Sequence, residues 1–143
     1  MAKLSIVFWS QTGNTEAMAN AIAESAASAG ADVELKNVSE ADREQVLASD
    51  VIVLGCPAMG AEVLEEDEFD PFYTALEPHL AGKKVALFGS YGWGDGEWMR
   101  EWEGRVREAG ALLYHDAGLI VNDAPEGESL EETKAFGTGL ASF

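Results

Sequence analysis

The chain reads as an open, doubly wound α/β domain: a five-stranded parallel sheet in the order 2-1-3-4-5 with helices on both faces. Two observations predict it. Apolar runs of strand length recur along the chain and are nearly continuous, as expected for strands covered on both faces. Between them, apolar residues return at helical spacing, which gives the order βαβαβαβαβα. Right-handed crossovers then favour that strand order and put ligands at the carboxyl edges of strands 1, 3 and 4. The 143 residues fit one domain, 1–143. A chain of that size buries roughly 68–70% of its unfolded surface.

The elements follow in order. Strand 1 is the run at 4–9, and strand 2 is 32–38, where Val33 and Leu35 alternate with polar residues. Strand 3 is 51–56 and strand 4 is 85–88. Strand 5 is 119–121, approached without interruption from Ala111. The first helix, 16–29, carries Met18, Ala19, Ile22, Ala23 and Ala26 and stops at Gly30. A short helix over 39–49 is expected to be capped by Ser39, with Asp42 three residues on as a capping-box variant. Helices over 69–80 and 97–109 come next, the latter closing at Gly110, and the last spans 130–143, weakened by Gly137 and Gly139.

Nine Lys and Arg stand against 26 Asp and Glu, a formal charge of −17. That balance repels nucleic-acid phosphate and anionic lipid, so neither is an expected partner. A lone cysteine cannot close an internal disulfide, and no Cys/His cluster offers a zinc site. The apolar run ending at Trp9 is too short for a signal-peptide core, and nothing approaches the ~18 apolar residues of a membrane span. The expectation is a cytoplasmic protein.

The residues at the carboxyl edges are unusual ones. After strand 1, Ser10, Gln11, Thr12, Gly13, Asn14 and Thr15 open directly into a helix. First-turn amides have no internal partners and, with the macrodipole, make an anion site. Ser10, Thr12, Asn14 and Thr15 add hydroxyl or amide donors around it, whereas an ordinary helix cap needs one such residue. No Lys or Arg is among them, so phosphate would be held by hydrogen bonds alone. After strand 3 come Cys56, Pro57, Ala58, Met59, Gly60, Ala61 and Glu62, and after strand 4 come Ser90, Tyr91, Gly92, Trp93, Gly94, Asp95 and Gly96. Each loop sets one large polarisable group among residues too small to bury it. A flat aromatic ligand between the Met59 thioether and the Trp93 indole accounts for both.

Together the three loops resemble those of the flavodoxins, the short-chain kind of anaerobic bacteria. The likeness runs over the whole chain, including an uninterrupted last strand, and is closest from Ser90 to Met99. It implies a flavodoxin-like three-layer sandwich, non-covalent FMN and one-electron transfer without substrate turnover. Carried over residue by residue, the resemblance has Ser10 to Thr15 hold the 5′-phosphate. Met59 covers the inner ring face and Trp93 the outer one. Glu62 accepts from the flavin N3–H, the amides of Tyr91, Gly92, Trp93 and Gly94 meet the pyrimidine edge, and Ala58 and Ser90 lie near the ribityl chain. Pro57 and Asp95 complete the two flavin loops.

The resemblance also implies how the redox chemistry is set. A neutral semiquinone gains a proton at N5, and the Gly60–Ala61 peptide is expected to turn its carbonyl toward it, with Gly60 permitting the backbone angles. The second electron gives an anionic hydroquinone. No Lys or Arg lies between Arg43 and Lys83, while Glu62, Glu65, Glu66, Asp67, Glu68 and Asp70 crowd the second loop. These acids oppose new negative charge, which predicts a low-potential donor. They read either as a solvated helix start or as a docking surface for basic rims on redox proteins that otherwise use ferredoxin. A monomer is expected.

Other residues are assigned quieter roles. Cys56 reads as a small hydrophobe, His79 and His115 as surface residues, and Trp98 and Trp102 as packing residues one helical turn apart. Asn122 and Asp123, after the last strand, are left outside the site. A receiver domain needs acids at the ends of strands 1 and 3, where Phe8, Trp9, Gly55 and Cys56 stand; a P-loop needs Gly-Lys-Ser/Thr, and position 14 is Asn. A cysteine phosphatase needs an Arg at 62. Two alternatives to a carrier remain, an FMN-dependent NAD(P)H:quinone-type oxidoreductase and an activator of a metalloenzyme. Trp93 over one ring face and the short chain disfavour the first.

Overall fold

The computed structural model describes residues 2–60 and 63–143; the expectations placed on Ala61 and Glu62 lie outside the described residues. The strands are β1 (Lys3–Phe8), β2 (Asp32–Asn37), β3 (Val51–Gly55), β4 (Lys84–Tyr91), β5 (Leu112–Leu113) and β6 (Leu119–Asn122). The helices are α1 (Asn14–Ser28), α2 (Arg43–Leu47), α3 (Phe69–Leu76), α4 (Glu97–Glu108) and α5 (Glu128–Leu140). All pairings are parallel, in the order β2-β1-β3-β4-β5, with β6 also on β4.

The period of two in each strand sorts side chains to two cores. Leu4, Ile6, Val51, Val53, Ala86 and Phe88 face one side, where Met18 and Ile22 of α1 and Phe136 and Leu140 of α5 cover them. Val7, Ile52, Leu54, Val85 and Leu87 face the other, under Val46 of α2, Phe69, Tyr73 and Leu76 of α3, and Trp98, Trp102 and Val106 of α4. Each fully buried Leu, Ile or Phe contributes about 1.5–3 kcal/mol. The result is the three-layer sandwich expected from the apolar runs.

The last strand is not uninterrupted. β5 pairs with the start of β4 and β6 with its end, and a tight turn over Tyr114–Asp116 separates them. His115 and Asp116 have φ of 59° and 56°, a left-handed conformation uncommon for residues with a Cβ. Packing holds the break open. Tyr114 turns its ring into the α1/α5 core, 5.0 Å from both Phe136 and Phe143, and Arg107 Nε donates to Asp116 Oδ1 at 3.1 Å.

Two further expectations change. The helix expected over 39–49 is a 3-10 turn at Val38–Glu40, whose Ser39 amide donates to Asn37 Oδ1, followed by α2, whose cap is Asp42. The Asp42 carboxylate accepts from the Glu44 amide at 3.0 Å. Gly137 and Gly139 do not simply weaken α5. A Cβ at Gly137 would lie 2.6 Å from the Ile22 carbonyl oxygen, and one at Gly139 2.1 Å from the Tyr114 hydroxyl, so the missing side chains let α5 close on α1 and on the strand break.

Candidate functional site

The loops after β1, β3 and β4 meet at one edge of the sheet because their strands are neighbours, and the ladder continues past the strand ends. Trp9 N donates to Gly55 O at 3.0 Å, Cys56 N to Phe88 O at 3.1 Å and Ala58 N to Ser90 O at 3.1 Å. Thr15, buried at the start of α1, accepts from the Ser90 amide at 3.3 Å and so joins the end of the first loop to β4, which runs on through Ser90 and Tyr91 where the sequence predicts the start of the third loop.

The first loop is built around Ser10. Its Oγ accepts from the amides of Gly13 and Glu16, both at 3.2 Å. A hydroxyl has two lone pairs and one proton, so with both lone pairs engaged the O–H is left to donate. Gly13 makes the turn at φ 97°, and a side chain there would be strained. Asn14 N lies 3.5 Å from Thr12 Oγ1. The donor set is neutral and sits at a helix N-terminus, which suits a phosphate ester held without a counter-cation.

A groove of about 170 Å³ lies between the loops. Ser10, Gln11, Thr12, Asn14, Thr15, Pro57, Ala58, Met59, Ser90, Tyr91 and Gly92 line it. Gly13, Gly60, Trp93, Gly94 and Asp95 lie beyond its lining. Gly13 shapes the turn and Gly94, at φ 85°, shapes the third loop. Gly60 is exposed, outside the left-handed region, and a Cβ there would meet nothing within 4 Å. Asp95 pairs with Arg100 at 3.0 Å. Trp93 is 62% exposed, one of only two large hydrophobic side chains so placed among the described residues. A larger depression, between α1 and α5, takes no residue from the three loops.

Asp123 also lines the groove, although sequence reasoning left it out. Its amide donates to Tyr91 O at 2.8 Å, its φ is 59°, and its carboxylate lies 3.7 Å from where a Gly92 Cβ would be. The signal was available, since Asp123 follows a strand at the same carboxyl edge. Asn122 supports it, donating from Nδ2 to Tyr91 O at 3.3 Å.

The acidic segment is not uniform. Glu66, Asp67 and Glu68 are exposed, but Glu65 is only 5% exposed and Asp70 pairs with Arg105 at 3.1 Å. The Glu65 carboxylate accepts from the amides of Asp67, Glu68 and Phe69 at 2.9, 2.8 and 2.8 Å. Burial opposes its ionisation, yet these three amides outweigh burial and lower its pKa. Glu65 therefore caps α3 and does not belong to the solvated or docking acids with which the sequence grouped it. Cys56 is buried, accepts from the Glu65 amide at 3.4 Å, and its thiol is pushed up to about 12, chiefly by burial. Trp98 donates to Cys56 O at 3.0 Å and thus packs both under the sheet and beside the second loop. His79 and His115 are exposed.

The sequence matches the flavodoxin family over residues 6–136. A flavodoxin from Megasphaera elsdenii is 51% identical over 136 residues, covering 95% of this chain and 96% of that protein. The chain belongs to the flavodoxin family. A flavodoxin from Clostridium beijerinckii is 46% identical over 140 residues, 98% of this chain and all of that one. Among solved structures, two-electron reduced Megasphaera elsdenii flavodoxin has a TM-score of 0.85 at 47% identity, covering 95% of this chain and 98% of that chain. Oxidised flavodoxin 1 from Bacillus cereus has a TM-score of 0.87 at 30% identity, covering 99% and 98%.

Flavodoxins bind FMN and transfer electrons between redox proteins rather than turn over a substrate, and this chain is an FMN-binding electron carrier. The groove fits that cofactor: neutral donors at a helix N-terminus for a phosphate, and an exposed indole on the third loop for a flat ring. No described helix is long and apolar enough to cross a membrane.

Proposed function

We propose that the chain is a low-potential one-electron carrier, a single FMN-binding domain over 1–143 that works as a cytoplasmic monomer. The cofactor cycles mainly between the neutral semiquinone and the anionic hydroquinone. The observation that carries this reading is the convergence of three loops on one groove, tied by Thr15 to Ser90 and by Ala58 to Ser90.

In this reading Ser10, Gln11, Thr12, Gly13, Asn14 and Thr15 bind the 5′-phosphate, with the Ser10 hydroxyl as a fixed donor. Met59 and Trp93 cover the two ring faces and exclude water. Pro57, Ala58 and Ser90 position the ribityl side, and the amides of Tyr91, Gly92, Trp93 and Gly94, with Asp95 beyond them, frame the pyrimidine edge. Glu62 takes the N3–H, and the Gly60–Ala61 peptide supplies an acceptor to the proton gained at N5.

The exposed acids Glu66, Asp67 and Glu68 act in two ways. Each unit charge at ~10 Å opposes added negative charge by ~0.4 kcal/mol in water before salt screening, which lowers the second couple. The same face steers basic docking surfaces on redox partners. Removing and restoring the cofactor tests the assignment. Apo-protein titrated with FMN should quench flavin fluorescence at one equivalent, and Trp93→Ala should weaken binding about tenfold, as the loss of a stacking contact of ~1 kcal/mol or more implies. Failure of the apo-protein to take up FMN would refute it.

A further inference from the structure

We infer that Glu65 is a positioning residue for the flavin ring: its buried carboxylate pins the exit of the loop after β3 to the first turn of α3, and so holds the Glu65 amide where it reaches Cys56 across the loop's neck. The inference rests on the assignment of that loop to the ring. At the loop's entrance, Cys56 is fixed by its own amide to Phe88 O at 3.1 Å and by its carbonyl to Trp98 Nε1 at 3.0 Å. At its exit, every polar group of Glu65 is engaged. The amide donates to Cys56 Sγ at 3.4 Å, across the neck, and the carbonyl accepts from Asp70 N at 2.8 Å. The carboxylate takes the amides of Asp67, Glu68 and Phe69.

The exit of the loop is therefore tied to its entrance and to the first turn of α3. That helix is itself anchored by Phe69, Tyr73 and Leu76 in the core. Within the loop, Met59 N donates to Val63 O at 3.1 Å, so the segment carrying Met59 hangs directly from the latched neck. The depressed pKa of Glu65 agrees with a carboxylate that holds these amides in its charged form.

Glu66 beside it is exposed and serves as the control for removing one charge from the same segment. In FMN-loaded protein, Glu65→Gln should raise the FMN dissociation constant about tenfold, since it breaks a charge-assisted set of bonds, and should alter the visible circular dichroism of the bound flavin. Glu66→Gln should change affinity less than about twofold, the scale of a surface charge, and leave that spectrum unaltered. Equal behaviour of the two variants would overturn the inference while leaving the FMN assignment intact, whereas a wild-type protein that binds no FMN would remove the assignment itself. If Glu65→Gln does not fold, native-state hydrogen exchange on wild-type holoprotein decides. The amides of Ala58 and Met59 should exchange through the same opening as those of Asp67, Glu68 and Phe69. Loop amides that exchange while these three stay protected would overturn the latch.

Discussion

Thr15 and Ser90 are 75 positions apart, and the buried Thr15 hydroxyl accepts the Ser90 amide at 3.3 Å. One bond ties the start of α1, beside the loop assigned to the phosphate, to the end of β4, which leads into the loop assigned to the ring. Thr15→Val keeps the shape and leaves a buried N–H without its acceptor, which costs about 1–3 kcal/mol. The apo-protein should lose that much in chemical unfolding, and FMN should bind more weakly. Unchanged stability would mean that the bond does not couple the loops.

Ser10→Ala separates phosphate recognition from ring recognition. The variant loses the acceptor for Gly13 and Glu16 and the one O–H left to donate. FMN affinity should fall at least tenfold, the scale of a hydrogen bond to a charged group, while riboflavin, which lacks the phosphate, should bind as it does to wild type. Parallel fluorescence titrations with the two flavins read this directly.

Gly60→Thr tests the peptide rotation. A Cβ at Gly60 meets nothing within 4 Å, so the variant should fold normally. A β-branched residue resists the backbone angles that the rotation requires. Losing one net hydrogen bond of ~1 kcal/mol should lower the oxidised/semiquinone potential by roughly 40 mV and reduce semiquinone accumulation. A potentiometric titration that finds no shift would remove the rotation from the account.

Two buried groups predict opposite limits of pH stability. The folded-state pKa of Glu65 lies below its ordinary 4.5, so its stabilisation is complete above that value and fades as pH falls below it. Cys56 is raised from 9.0 to about 12, so its contribution is complete below pH 9 and is lost as pH climbs toward 12. Denaturant midpoints should fall at both ends, and Glu65→Gln should flatten the acid side alone. At pH 8 the folded protein should resist thiol alkylation and the unfolded chain should react fully.

The sheet was legible because apolar runs with both faces covered have few other uses, and the three loops because small residues flanking Met59 and Trp93 leave those groups nowhere to pack. The strand break was not legible. Nothing local in Tyr114, His115 and Asp116 demands a left-handed turn; it follows from the Tyr114 ring reaching a core formed by Phe136 and Phe143. Glu65 looked like its acidic neighbours because sequence carries charge but not burial. Ser39 with Asp42 reads as one capping box, but the chain makes two short elements there, capped by Asn37 and Asp42. Asp123 was legible in principle, since it directly follows a strand at the carboxyl edge where the groove lies.

The most direct measurement is an anaerobic stepwise reductive titration of the FMN-loaded protein, followed by visible absorption. The account predicts a blue neutral semiquinone that accumulates after one electron and bleaches with the second. Direct bleaching from the oxidised to the fully reduced spectrum would contradict one-electron carriage and favour hydride transfer.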